Sequence, residues 1–235
     1  IGWGVARALG LRRHQLGTFL QAAFRGNLGF IGIPILTYAL RDQDPLILTA
    51  ILAQAVFVFA PTMVFYNVVS VLLLVGSRQS SLRENLPQAL REIATNPLII
   101  AAIAGLILFA LPFDLPIPLT NTLDFVGATA GPMALVCVGG AMARVSLQGR
   151  YRSALASSLL KVAALPALIW LLARPFGFTD ASLLILMVFA ATPTAVASYV
   201  MAREMGGDEA MASGSIVLST LLSALSLAVV VGLFG

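Results

Sequence analysis

The sequence predicts an integral membrane protein built entirely from α-helices. Hydrophobic residues make up 59% of the chain and charged residues 10%, and the mean hydropathy is +0.97. A soluble domain is usually about 45–50% apolar and about 25% charged. The apolar residues form long continuous runs, whereas an outer-membrane barrel would show alternating segments of about ten residues. Since a membrane-spanning helix needs about 20 mostly apolar residues, the runs favour helices.

The apolar runs define the elements in order. Residues 1–10 resemble the end of one span, and seven complete runs follow at 16–40, 46–75, 96–112, 119–143, 153–173, 181–202 and 210–234. Asn96 and Pro97 suit the cap and first residue of a helix. The longest polar stretch divides the chain, so we expect a first unit at 1–75, a cytoplasmic linker at 76–96 and a second unit at 97–235.

The arginines predict the orientation of the spans. Nine arginines lie in one set of alternate loops, and only Arg41 and Arg174 lie in the other set. The arginine-rich side of a membrane protein is normally cytoplasmic, which places the C-terminus outside. The same bias explains the net charge of +4, and nucleic acid is not an expected partner because the chain has no basic stripe or aromatic stacking platform.

Two of the predicted helices contain residues that interrupt a helix. The first interruption contains Gly26, Asn27, Gly29, Gly32 and Pro34, and the second contains Thr192, Pro193 and Thr194. The loops that follow the two interruptions align when Asn27 and Thr192 take equivalent positions. The two helices run in opposite directions, which is typical of inverted repeats whose discontinuous helices meet near the membrane midplane.

The spacing of the spans predicts five helices in each repeat. The second repeat contains five spans, and the interrupted helix is its fourth. By the same spacing, the first repeat should begin before Ile1, so we expect the first two to three helices to be missing. The predicted fold is therefore a pair of inverted five-helix repeats with two discontinuous crossing helices.

The interruptions are the candidate substrate-binding site. Unwound backbone inside a membrane is tolerated only where protein or a water-filled cavity covers it. Free N–H groups at the start of a half-helix suit an anion, and the Asn27 amide can donate to a carboxylate. Thr192 and Pro193 suit the cap and first residue of a new half-helix. The structural alternative is that the glycines form a packing face and Pro34 only kinks its helix.

Three charged residues lie within the predicted spans. Arg25 lies about 15 Å along its helix, where it could bind a carboxylate through two hydrogen bonds or reach toward the cytoplasmic surface. The position of Lys161 in its predicted helix favours a structural role over a functional one. Asp124 is the candidate for a carboxylate that couples transport to protons.

The sequence lacks the residues that several other classes of function require. Neither interruption contains an Asp or Glu of the kind that a cation antiporter would need. The chain has no phosphate-binding glycine loop followed by Lys, no metal-ligand cluster and no Ser-His-Asp set. The single cysteine, Cys137, cannot form an internal disulfide. We therefore expect no catalytic residue, no metal, no cofactor and no enzyme activity.

Four motifs resemble the auxin efflux carrier family, in its bacterial branch. Phe24–Pro34 is similar to the motif of the family's fourth helix, and the other similarities are Asn96–Ile99 to the sixth, Gly127–Gly140 to the seventh, and Ala191–Ala195 with Met205–Asp208 to the ninth. The resemblance implies ten helices, crossing fourth and ninth helices, and export of organic anions. Plant members handle indole acids, and bacterial members are linked to dicarboxylates such as malate or malonate.

By position, the resemblance places Asn27 and Pro34 at one crossover and Pro193 at the other. The chain departs from the family pattern because it lacks helices one, two and most of three, and part of the family's binding site lies in helix one.

These observations predict a permease that exports small organic anions across a bacterial inner membrane by alternating access. Its expected partners are the anion and the lipid bilayer, and a homodimer is left open. One alternative is a sodium-coupled symporter of the bile-acid type, which shares the inverted-repeat plan. The other is a membrane sensor or assembly protein that carries no flux.

Overall fold

A computed structural model describes residues 1–78, 86–95, 97–110, 115–142 and 150–235. Throughout these ranges the regular elements are helices, with one isolated β-bridge. Among the described residues, three helical spans are long and apolar enough to cross a membrane: Pro45–Ser77, Tyr151–Phe176 and Glu209–Phe234. The prediction of an all-α membrane protein is confirmed at this level. The division into inverted repeats and the outside C-terminus stay predictions.

The first part of the chain forms α-helices interrupted by one π-helical turn. In order, these are α1 (Gly2–Ala8), α2 (Arg13–Phe24), the π-helical turn Leu28–Gly32, α3 (Ile33–Ala39) and α4 (Pro45–Arg78). The predicted run 16–40 is thus split into two helices and a turn, whereas the next run forms one helix of 34 residues.

The middle of the chain contains α5 (Leu86–Thr95), α6 (Pro97–Ala110) and α7 (Ile117–Met142). The predicted linker is therefore partly helical. In α5, Leu90 and Ile93 are three residues apart and share a face, and Ile93 packs against the buried cluster around Val71. Asn96, linker residues 79–85, Pro112 and Ala143 lie outside the described residues.

The last part contains a long span, an interrupted helix and a further span. The elements are α8 (Tyr151–Leu159), the π-helical turn Leu160–Ala164, α9 (Leu165–Ala173), the 3₁₀ turn Arg174–Phe176, α10 (Asp180–Ala191), α11 (Ala197–Glu204) and α12 (Glu209–Phe234). The chain is continuously helical from α8 through the 3₁₀ turn, whereas residues 192–196 separate α10 from α11.

The packing joins the two halves of the chain around the interruptions. Helix α2 packs against α4, α8 and α12, and α10 packs against α9 and α12. The largest buried apolar cluster includes Leu28 and Leu36 from the first half and Val188 and Leu227 from the second. Helix α6 packs against α4 and α7 against α12. Many outward-facing side chains on these helices are large and apolar, as contact with lipid requires.

Candidate functional site

The two interruptions contact each other through their backbones. Gly26 and Thr194 form an antiparallel β-bridge. On one side of the bridge the Asn27 N–H donates to the Pro193 carbonyl at 2.8 Å, and on the other the Ala195 N–H donates to the Arg25 carbonyl at 2.9 Å. The unwound segments thus supply each other with the hydrogen bonds that a membrane interior cannot. We call residues 25–27 and 193–195 the paired segments.

The first interruption begins before its proline and its three glycines. Helix α2 ends at Phe24, and the last helical bond there joins the Arg25 N–H to the Gln21 carbonyl. The Asn27 carbonyl then accepts hydrogen bonds from Ile31 at 3.2 Å and Gly32 at 3.1 Å, which opens the π-helical turn. Pro34 lies in the first turn of α3, where a missing N–H costs little.

The predicted role of Thr192 as the cap of a new half-helix is wrong. Thr192 instead ends α10, and its hydroxyl donates to the Phe189 carbonyl at 2.7 Å. Helix α11 begins only at Ala197, with Val196 as its cap. The reason is that residues 193–195 are used for pairing with 25–27. Pro193 suits this position because the pairing uses its carbonyl and requires no N–H.

Neighbouring helices hold the central residues of the bridge. In this type of antiparallel pair the N–H groups of the two opposed residues point away from each other. The Thr194 N–H donates to the Ser219 hydroxyl of α12 at 3.0 Å, and the Thr194 hydroxyl donates to the Ala22 carbonyl at 2.8 Å. Arg25 donates to the Asn67 side chain of α4, and Tyr66 of α4 lies close to the Gly26 backbone. The paired segments are therefore fixed to both α4 and α12.

Two of the predicted site glycines are required by space. A Cβ atom at Gly26 would lie 2.5 Å from the Thr192 hydroxyl oxygen, and one at Gly32 would lie 3.0 Å from the Phe189 ring. At Gly29 the nearest atoms, in the Phe59 ring, are 3.3 Å away. The close approach of the paired segments thus depends most strongly on Gly26.

Arg25 is completely buried beside the bridge. Its guanidinium donates to the Asn67 side-chain oxygen at 2.5 Å and to the Met201 sulfur, and its Nε has no hydrogen-bond partner in the described part of the chain. The side chain therefore does not reach toward the surface. A fixed positive charge lies instead next to the unwound backbone.

Asn27 has a free side chain at the same place. The residue is 5% exposed, and the hydrogen bonds recorded for the described residues engage its backbone but not its amide group. Because this amide is not engaged by a recorded hydrogen bond and can both donate and accept, it is the group in the paired segments best suited to bind a ligand.

The remaining predicted site residues differ in their access. Thr192, Pro193 and Thr194 are buried with Gly26 and Gly32, Gly29 is half-buried and Pro34 is exposed. Asp124 lies exposed on α7, which packs against α12. No contact recorded for the described residues joins Asp124 to the paired segments. The structure thus brings together the two interruptions and Arg25, but not Asp124.

A second polar cluster lies where α12 begins, in the Met205–Asp208 motif. The Asp208 carboxylate accepts hydrogen bonds from the Gln15 amide at 3.0 Å, the Arg150 guanidinium at 2.5 Å and the Met211 N–H at 3.0 Å. The Asp208 N–H donates to the Thr18 hydroxyl. Burial raises the pKa of Asp208, but these hydrogen bonds and the Arg150 charge outweigh it and hold the pKa below its usual range.

Local sequence patterns did not single out two residues that hold the site: Asn67 binds Arg25, and Ser219 binds Thr194. Lys161, for which the sequence favoured a structural role, contacts α10. A buried polar residue inside an apolar run was the available signal. Within the described residues, no group of three or more His, Cys, Asp or Glu side chains could hold a metal ion.

A helical membrane bundle in which two interrupted helices meet at their breaks is an arrangement found in membrane transporters. The chain belongs to the membrane transport protein family, whose model matches residues 1–231, and the resemblance to the auxin efflux carriers is confirmed. The chain is also similar to a protein of Rhizobium meliloti (strain 1021) named "Putative malonate transporter". The two are 28% identical over 226 residues, which cover 93% of this chain and 68% of that protein.

Proposed function

We propose that this protein is a permease that exports small organic anions across the bacterial inner membrane by alternating access. The substrate carboxylate binds at the paired segments. One observation carries this proposal: where two interrupted helices meet, Asn27 has a side-chain amide without a recorded hydrogen bond, and Arg25, two residues earlier, is a buried charge. Family membership supports transport. The name of the Rhizobium protein supports a carboxylate substrate such as malonate or another dicarboxylate, and auxin-like carboxylates belong to the same chemical class.

The residues of the proposed site act in different ways. Asn27 donates directly to the carboxylate, since its amide is free. Arg25 contributes mainly through its charge, because its guanidinium is already engaged by Asn67 and Met201. Buried acids would weaken this attraction, and among the described residues Asp208 is the only buried acid, with its own partners at the start of α12.

The other residues shape the site. Gly26, Gly29 and Gly32 allow backbone and ligand to approach closely. The Thr192 and Thr194 hydroxyls donate to backbone carbonyls, so they fix the backbone conformation, while Pro193 keeps its segment unwound and Pro34 starts the outgoing helix. Since most of these residues are buried, alternating access requires the bundle that carries the paired segments to move against the remaining helices.

The coupling of transport is part of the proposal. Asp124 is the proposed coupling carboxylate, and its link to the site runs through α12: α7 packs against α12, and Ser219 of α12 binds Thr194. A protonation change on α7 would reach the paired segments by displacing α12.

The test uses the full-length protein in proteoliposomes loaded with labelled malonate. Efflux is compared between wild type, Asn27→Ala and the matched control Asn121→Ala, whose asparagine is exposed on α7. We expect Asn27→Ala to lower efflux at least about tenfold, because it removes one hydrogen bond to a charged group. Asn121→Ala should leave efflux unchanged. Equal efflux from all three proteins would exclude the paired segments as the site.

The same vesicles separate the competing functions. An imposed membrane potential should change malonate efflux, because the substrate carries charge. A panel of monocarboxylates and indole acids is measured with and without a sodium gradient. Flux that requires sodium would identify a symporter instead, and binding without flux for every acid would identify a sensor.

A further inference from the structure

Lys161 is the second buried cation near the interruptions. It lies on the π-helical turn Leu160–Ala164, is completely buried, and its ammonium group donates to the Ala190 carbonyl at 2.5 Å. The residue is about 15 Å along the span that begins at Tyr151, which is close to the middle of a bilayer core about 30 Å thick. π-Helical turns occur frequently at functional sites.

The Ala190 carbonyl needs this donor because the second interruption removes its helical partner. In a continuous helix Ala190 would accept from the N–H of Thr194. That N–H donates instead to Ser219. Two side chains therefore complete the end of α10: Thr192 donates to the Phe189 carbonyl, and Lys161 donates to the Ala190 carbonyl.

A charged donor is particularly effective at this position. The carboxyl end of a helix carries a partial negative charge, which a cation stabilises, and an unpartnered carbonyl inside a membrane would be costly. No described carboxylate contacts Lys161, so the charge of its protonated form is not neutralised by a counter-ion. In that form it balances the end of α10 and adds to the field of Arg25 at the crossover.

We propose that Lys161 is a positioning residue of the transport site, which replaces the hydrogen bond lost at Ala190 and holds residues 193–195 in register with 25–27. Because α10 continues directly into the paired segment, release of its end loosens the bridge hydrogen bonds of Asn27 and Ala195. Lys161 thereby acts on the substrate through the backbone and through its charge, without touching the substrate.

The first arm of the test needs no transport. Amide hydrogen exchange is measured on the purified full-length protein for wild type, Lys161→Met and Lys161→Arg. Met has a similar length without charge or donor, and Arg keeps both. We expect the Asn27 and Ala195 amides to exchange at least about tenfold faster in Lys161→Met, since one charge-assisted hydrogen bond is lost. Amides at 101–108 in α6, which packs against α4 and α5, should keep their rates, and Lys161→Arg should stay near wild type. Unchanged rates at Asn27 and Ala195 would overturn the positioning role.

The second arm rests on the proposed function and uses malonate exchange in proteoliposomes. Lys161→Met should raise the KM for the malonate dianion more than the KM for monomethyl malonate, which carries one charge, whereas purely structural damage would affect both equally. Equal increases in the two KM values, or no increase in either, would overturn the role of Lys161 in transport. If wild type transports neither acid, the proposed function fails, and the hydrogen-exchange arm still decides whether Lys161 positions the bridge. If Lys161→Met does not fold, Lys161→Gln replaces it, with a shorter neutral donor and the same expected direction in both arms.

Discussion

Arg25 and Asn67 form a hydrogen bond between two completely or almost completely buried side chains, although 42 residues separate them in the sequence. The bond joins the end of α2 to the middle of α4, directly beside the Gly26–Thr194 bridge. It therefore fixes the position of the Arg25 guanidinium, whose charge we propose attracts the substrate.

Removal of the Asn67 acceptor should destabilise the protein. Asn67→Leu leaves the guanidinium without its oxygen partner, and a hydrogen bond to a charged group is worth about 1.5–3 kcal/mol. We expect a melting temperature several degrees below wild type for the detergent-solubilised protein. Asn121→Leu, at an exposed site on α7, is the control. Equal melting temperatures for the two variants would show that Arg25 does not depend on Asn67.

Addition of one methyl group at Gly26 should separate the paired segments. A Cβ atom there would lie 2.5 Å from the Thr192 hydroxyl oxygen and 3.2 Å from the Phe189 carbonyl oxygen. Overpacking of this kind costs about 1–3 kcal/mol, so Gly26→Ala should lower both the melting temperature and the rate of malonate exchange. The control is Gly105→Ala, because a Cβ atom at Gly105 meets nothing within 4 Å. Wild-type exchange by Gly26→Ala would contradict the close pairing.

The Asp208 cluster should make stability depend on acid pH. The pKa of Asp208 is lowered in the folded protein, so its contribution is present above the unfolded pKa of about 3.9 and is lost as the pH falls through the folded value. Asp208→Asn should therefore lower the melting temperature at pH 7, and the difference from wild type should shrink as the pH drops below about 4.

The exposed Asp42 provides the control for this measurement. Its side chain pairs with Arg41 at 3.5 Å, in an exposed loop, and such surface pairs contribute little. Asp42→Asn should match wild type across the same pH range. If the difference in melting temperature between Asp208→Asn and wild type is the same at every pH, the charge on Asp208 is not the stabilising factor.

Substitution of Asp124 should separate coupling from exchange. If this carboxylate couples transport to protons, Asp124→Asn should abolish the response of malonate efflux to a pH gradient. Malonate-for-malonate exchange, which needs no driving ion, should persist near the wild-type rate. Asp42→Asn again serves as the control. An unchanged response to the gradient in Asp124→Asn would remove Asp124 from the mechanism.

Much of the fold could be predicted because it depends on local composition. The apolar runs predicted the long helices, and Gly26 and Pro193 indicated where two of them are interrupted. The exact ends of the interruptions depend on contacts between distant segments. Thr192 has the local features of a helix start, yet it ends α10 because residues 193–195 pair with 25–27.

The polar contacts of the site were harder to predict for the same reason. Asn67 and Lys161 find their partners 42 and 29 residues away, and no local pattern encodes those distances. The sequence was compatible with two positions for the Arg25 side chain, one inside the protein and one reaching toward the cytoplasmic surface. The complete burial of Arg25 shows that its charge lies inside the protein. Asp124 lies on α7, which packs against α12, and no contact recorded for the described residues joins Asp124 to the crossover.

The bridge between the interruptions is made by main-chain groups, and this has a consequence for how such a protein can diversify. The hydrogen bonds between Asn27 and Pro193 and between Ala195 and Arg25 use only N–H and carbonyl groups, which every residue except proline supplies in full. These two hydrogen bonds therefore place no chemical requirement on the side chains of Asn27 and Ala195. Substitution of these side chains can produce new selectivity while the main-chain hydrogen bonds between the two interrupted helices persist.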